Sequence, residues 1–186
     1  GGREAFVQAM NRKAAILGMS GTRYADSTGL SSTNVSTAED LARLVRAAHQ
    51  QYPIIREFST TTSYMATING RQMGFRNTNA LVSNPGWNIG LSKTGYINEA
   101  GRCLVMQATL AGRAVVIVLL DSWGKYTRTA DAARIRNWLE VAAGYTSPSR
   151  QATTTRKAAK VSARASTNRN VTQKTAQNVT RKTAQR

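Results

Sequence analysis

Residues 88–120 read NIGLSKTGYINEAGRCLVMQATLAGRAVVIVLL, and three strands in quick succession are legible in them. Branched and long apolar residues dominate Cys103–Leu110 and Ala114–Leu120. The Ala111-Gly112-Arg113 between them is long enough only for a turn, so the two strands run antiparallel. A shorter strand, Asn88–Gly95, precedes them and contains Ser92-Lys93-Thr94-Gly95. On an edge strand a Lys ammonium and a Thr hydroxyl can hold an anionic terminus, while Gly leaves room for an extended backbone to approach. By itself the tripeptide Lys93-Thr94-Gly95 reads first as an ordinary strand end with a solvated Lys.

Working outward, Asn69-Gly70 tolerates the positive φ values of a type I′ turn, so 58–68 and 71–76 read as a hairpin. A Gly- and Asn-rich loop at 83–88 leads into the motif strand. Upstream, Ser36-Thr37-Ala38-Glu39 has capping-box spacing, and Leu41, Leu44, Val45 and Ala48 repeat at helical intervals. A helix over 37–50 follows, stopped by Pro53. Arg3–Leu17 reads as a first helix, with Phe6, Ala9, Met10 and Leu17 near one face and Gly18 ending it. Ile135, Trp138, Leu139 and Ala142 give a last helix over about 129–143, closed by Gly144. Helices, antiparallel strands and a final helix make an α+β arrangement.

Charge divides the chain. Of its 186 residues, 26 are Lys or Arg and 9 are Asp or Glu, a net charge of +17. Residues 151–186 hold nine of the basic residues and no acidic one, so the first 150 carry 17 basic against 9 acidic, or +8. From 148 the chain is mostly small and polar, too poor in apolar surface to offset the entropy of ordering. It is read as a disordered basic tail over 148–186, following a folded portion over 1–147. The tail repeats NVTQKTAQ (170–177) as NVTRKTAQ (178–185). It has no aromatics for base stacking, so no specific nucleic acid is implied, only contact with anionic polymers.

Other chemistry is thinly supported. His49 is the one histidine, beside the core face near its helix end, where a cation interacts well with the dipole. The acidic residues are scattered singly, giving neither a glycosidase pair nor a metal cluster, and no cofactor is implied. Trp87, Trp123 and Trp138 read as packing residues. A single cysteine, Cys103, excludes an intrachain disulfide and leaves the redox compartment open. The longest apolar run, 114–120, is too short to cross a bilayer.

The run from Gly90 to Val105, GLSKTGYINEAGRCLV, is similar nearly position by position to a stretch of the low-molecular-mass penicillin-binding proteins that act as D-alanyl-D-alanine carboxypeptidases and endopeptidases. Thr22–Leu30 (TRYADSTGL), Ser36–Leu44 (STAEDLARL) and Asn77–Leu81 (NTNAL) resemble further segments of that family, in its order. The resemblance covers about residues 1–143 and leans to the endopeptidase branch. It implies a β-lactamase/transpeptidase-like fold, an antiparallel sheet packed by helices, incomplete at the N-terminus. A β-lactamase shares Lys-Thr-Gly, but the flanks of the motif resemble the peptidases.

The resemblance also assigns roles. Lys93 would bind a substrate carboxylate and assist proton transfer, Thr94 would hydrogen-bond the same carboxylate, and Ser92 would assist weakly. Gly95 would admit the substrate backbone, and the Tyr96 N–H would be one of two oxyanion-hole donors. Lys93 and Thr94 are thus expected to face a groove. In the family the Ser-x-x-Lys nucleophile and the Ser-x-Asn motif come before the helix that opens this chain, so the resemblance places both before residue 1. Separately, Gly-Gly-Arg at the start carries no signal-peptide pattern and reads as a processed end or a cut. Ser122-Trp123-Gly124-Lys125 and Ser32-Thr33-Asn34 are read as chance matches. The implied substrates are peptidoglycan stem peptides, with β-lactams as inhibitors of the complete protein and a periplasmic or envelope location. The alternative is a non-catalytic remnant or a polyanion-binding basic protein. A further expectation is an exposed core surface where the missing part would pack. The isolated chain should then melt early and broadly by circular dichroism, and a cooperative melt at high temperature would contradict it.

Overall fold

The computed structural model describes residues 1–144, so the tail reading lies outside the described residues. The chain divides into two units, Gly1–Leu139 and Glu140–Arg186. Of the second, only 140–144 are described, the end of the last helix with Gly144 at φ +70°.

In the first unit the sheet forms as the pattern predicts. Strands β3 (Asn88–Ile97), β4 (Gly101–Leu110) and β5 (Arg113–Ser122) run antiparallel in the order β3-β4-β5. The β4–β5 turn is Ala111 and Gly112, both at positive φ. The β3–β4 turn ends at Gly101, also at positive φ, where a Cβ would lie 2.2 Å from Asp121 Oδ1. Along β4, alternate side chains Leu104, Met106, Ala108 and Leu110 are buried, joined by Ile117 of β5, Trp87 and Ala132. Ala132 sits on α4 (Thr127–Ala142), which packs there with Ile135 and Leu139. Trp138 was expected on this stripe. It is 68% exposed, and Trp123 92%, so of the three tryptophans only Trp87 packs in the core.

Helix α2 (Ala38–Gln51) packs on the sheet against β4 and β5. Its cap lies one residue later than the capping-box reading: Thr37 is the N-cap and accepts from the Asp40 N–H at 3.1 Å. Ser36 bonds Thr22 instead. Buried Asp40 then accepts from the Gly21 N–H, the Thr22 hydroxyl and Arg43, fastening the preceding loop to the helix start. Pro53 ends α2 but does not end helical structure. Tyr52 leaves the helical region, and Pro53 opens α3 (Pro53–Thr60). A fixed φ and a missing N–H suit the first position of a helix as well as they break an interior.

The hairpin forms from β1 (Ser63–Ile68) and β2 (Arg71–Arg76), with Asn69 and Gly70 both at positive φ as a type I′ turn requires. Residues 58–62, read as strand, belong to α3 and its exit. Helix α1 (Gly2–Ile16) buries Ala14 and leaves Phe6 60% exposed. Its Asn11 side chain exchanges hydrogen bonds with the Tyr24 backbone, which holds the helix to the loop. That loop turns on Asp26, whose carboxylate accepts from the Thr28 hydroxyl and from the Thr28, Gly29 and Leu30 N–H groups. The Thr28 hydroxyl foremost holds the Asp26 carboxyl below its usual value. Among the described residues no helix is long and apolar enough to cross a membrane.

His49 departs from its reading. It lies in the last turn of α2 as expected, but burial, and then the Arg56 charge, lower its pKa below the ordinary 6.5. The helix-end dipole is outweighed, and the neutral imidazole is favoured. Gly90 lies directly against it: a Cβ there would stand 2.5 Å from His49 Nε2 and 2.1 Å from Gln107 Oε1. Because the folded chain holds the His49 proton less tightly than the unfolded chain, this contribution is present above pH 6.5 and lost as pH falls through the depressed value. Thermal melts of the 186-residue chain between about pH 7 and 5 should show a declining Tm. His49→Gln should flatten that decline, and an equal slope in both proteins would exclude His49 as its source.

Candidate active site

The motif lies on β3, the edge strand of the described sheet. Its pairing with β4 fixes which groups face outward. The Ser92 N–H donates to Ser59 Oγ of α3 at 3.3 Å, away from β4. Backbone direction alternates with a period of two, so the N–H groups of Thr94 and Tyr96 point to the same open edge. The Tyr96 N–H therefore stands where an approaching oxyanion could accept from it.

Lys93 is exposed at that edge, and its ammonium donates to the Thr94 carbonyl oxygen. Thr94 is half-buried, with its Oγ1 2.6 Å from Thr78 Oγ1. Ser92 is 5% exposed, and its hydroxyl accepts from Asn79 Nδ2 at 2.9 Å. Ser92 thus holds the strand from behind, on the face opposite Lys93. A Cβ at Gly95 would meet nothing closer than Cys103 Cβ at 3.9 Å, so no neighbour in the chain demands glycine there. The Gly95 carbonyl and that of Cys103 across the ladder both accept from buried Arg128 at 3.3 Å, which ties β3 to β4 beneath the motif. The Tyr96 ring lies under Arg102 at 4.6 Å, and its hydroxyl donates to Asn98.

The expected groove is not closed around Lys93 and Thr94 by the described residues; the pair stands on an open strand edge. A trough of about 330 Å³ lies along α1 instead, lined by Phe6, Ala9, Met10, Met19, Tyr24 and Leu44, and contains no motif residue. Ser122-Trp123-Gly124-Lys125 runs from the end of β5 through a positive-φ Gly124 and opens no helix. In Ser32-Thr33-Asn34, the Asn34 amide is used up by the Ala25 and Asp26 backbone. Among the described residues no group of three His, Cys, Asp or Glu side chains could hold a metal ion.

Sequence reading gave no role to Thr78, Asn79, Ser59 or Arg128, the groups that fix the motif strand. Asn77-Thr78-Asn79 entered it only as part of a segment resembling the family. Its partners Ser59, Ser92 and Thr94 lie 13 to 18 residues away and are brought to it only by the fold.

The family described as D-alanyl-D-alanine carboxypeptidase matches residues 1–124. The chain is 54% identical over 142 residues to the D-alanyl-D-alanine endopeptidase of Pseudomonas aeruginosa, and 51% identical over 142 to that of Escherichia coli. Each match covers 75% of this chain and 46% of the relative, so the chain spans about half their length. In three dimensions it resembles the Streptomyces K15 DD-transpeptidase, with a TM-score of 0.64 and 31% identity over 73% of this chain and 53% of that one. The D-alanyl-D-alanine carboxypeptidase of Mycobacterium tuberculosis gives a TM-score of 0.64 at 28% identity, over 75% and 55%. With its helices against an antiparallel sheet and the Lys-Thr-Gly edge in place, the chain belongs to the D-alanyl-D-alanine carboxypeptidase family.

Proposed function

We propose that this chain carries one wall of the active site of a serine D-Ala-D-Ala peptidase, and that the complete protein cleaves peptidoglycan stem peptides through an acyl-serine intermediate. The observation that carries this reading is the open edge of β3, where Lys93, the Thr94 hydroxyl and the outward Tyr96 N–H lie within four residues. A peptide laid along that edge meets a cation for its carboxylate and a backbone donor for its scissile carbonyl. In the acyl transfer, a serine oxygen attacks the carbonyl carbon, the carbonyl oxygen becomes an oxyanion, and the amine leaves after gaining a proton. The Tyr96 N–H is one of two donors to that oxyanion, and such donors are typically worth about 3–4 kcal/mol each. Lys93 binds the carboxylate and assists the proton transfers. The attacking serine belongs to a part of the protein outside these 186 residues, so the chain alone is inactive.

The endopeptidase names of the relatives at 54% and 51% identity favour internal over terminal peptide cleavage. Penicillin-Binding Protein D2 of Listeria monocytogenes, 27% identical with a TM-score of 0.61, is known with ampicillin bound, which supports β-lactams as inhibitors here. Such substrates place the protein in the periplasm or cell envelope. Within it, residues 1–147 form the catalytic portion, and 148–186 a basic tail that touches anionic envelope polymers.

Reading the upstream DNA should reveal an in-frame Ser-x-x-Lys followed by Ser-x-Asn. The protein expressed from that frame should be labelled covalently by a fluorescent penicillin. Lys93→Ala should slow labelling by about 10- to 100-fold, the loss expected for a charge-assisted hydrogen bond. Gly95→Ala should also slow labelling while changing stability by no more than about 1 kcal/mol, since a Cβ there meets no neighbour. Wild-type labelling of the Lys93→Ala protein would overturn the proposal.

A further inference from the structure

A hydroxyl has one proton. If Thr94 holds a ligand carboxylate, its proton must point to that ligand, and its oxygen must accept from somewhere else. The structure supplies that second partner. Thr78 Oγ1 stands 2.6 Å from Thr94 Oγ1, a short separation even for hydroxyl oxygens.

Thr78 is held at this distance from both sides. On one side, Asn77 Nδ2 donates to the Ser59 and Thr61 carbonyls, and the Asn77 N–H to the Thr62 carbonyl, so residue 77 is bolted to the end of α3. On the other side, Asn79 is 1% exposed and donates to Ser92 Oγ, two residues before Thr94 on the motif strand. Its own Oδ1 accepts from the Leu81 N–H. The backbone on either side of Thr78 is therefore fixed to the elements that flank the motif. The short side chain of residue 78 meets the motif strand at the Thr94 hydroxyl.

We propose that Thr78 is a positioning residue for ligand binding: it donates to Thr94 Oγ1 and so turns the Thr94 proton outward to an anionic ligand terminus. The two hydroxyls form a relay in which each bond strengthens the next. An empty site lets the pair point either way. A carboxylate at the edge selects the arrangement Thr78 to Thr94 to ligand. This rests on the reading of the Lys93-Thr94 edge as the binding wall.

The test uses the complete protein from the upstream reading frame and the rate of acylation by a fluorescent penicillin, whose carboxylate stands in for the substrate terminus. Thr78→Val, which keeps the shape and removes the hydroxyl, should slow acylation by about three- to tenfold, with the melting temperature unchanged. Thr78→Ser should restore the wild-type rate. In a Thr94→Val background, Thr78→Val should have no further effect, because a residue acting through Thr94 has nothing left to orient. Independent, multiplying effects of the two substitutions would overturn the proposal, as would a Thr78→Val protein acylated at the wild-type rate. If the wild-type protein is not acylated, or Lys93→Ala is acylated normally, the active-site reading itself fails. If Lys93→Ala is slowed as expected and Thr78→Val labels normally, only the relay fails.

Discussion

The buried amide of Asn79 is the bond on which the candidate site depends. A polar side chain withdrawn from water has to find its hydrogen bonds within the protein, or lose about 1–3 kcal/mol for each group left unmade. Asn79 finds them in the Ser92 hydroxyl and the Leu81 N–H. Its satisfaction is therefore also the attachment of the motif strand to the segment that precedes it. One geometric demand fixes β3 from behind and brings residue 78 beside the Thr94 hydroxyl, two residues along the strand from Ser92.

A strand can do this because its two edges and two faces are independent. The β4 edge of β3 is consumed by the ladder, with Arg128 spanning the Gly95 and Cys103 carbonyls. The far edge keeps the Thr94 and Tyr96 N–H groups for something else. Unpaired strand edges are a hazard in proteins and are usually blunted. Here the edge carries an exposed Lys at 93, which discourages pairing with a stray strand while suiting an anionic peptide.

Much of this was legible from the chain. Three strands in 88–120 follow from composition and two short turns, and Asn69-Gly70 at positive φ is a hairpin signal that depends on no tertiary contact. The α2 periodicity is equally local. The misreadings share a cause, since each concerned a residue whose role is set by something distant. Ser36 and Thr37 are both good caps, and the choice fell to Thr37 because Ser36 is taken by Thr22. Pro53 stops α2 as read, and the misreading was of 58–60, taken as strand, which belong to the helix that Pro53 opens. Trp138 fits a helical stripe on paper, but the stripe that meets the sheet is Ala132, Ile135 and Leu139. Ser92 belongs to the motif by spelling, and its bond to Asn79, on the face opposite Lys93, could not be read from the chain. For the site residues the motif gave the positions, and the resemblance gave the roles. The supporting hydroxyls and amides could not be assigned without the fold.

The unit is unevenly secured, and the unevenness bears on function. Around β3 to β5 and α4 the core is closed, with Leu104, Met106, Ala108 and Ala132 fully buried. Helix α1 buries only Ala14 and is held largely by Asn11, and Phe6 stands out beside its trough. A helix of that length gains little from propensity alone and depends on what covers its apolar face. The motif strand lies in the well-secured part. Its donors are set by backbone pairing and by buried side-chain bonds, so they need no ordering when a ligand arrives, and binding avoids the entropy of arranging them. Groups that must meet a charge only as it develops are most useful when they are already in place.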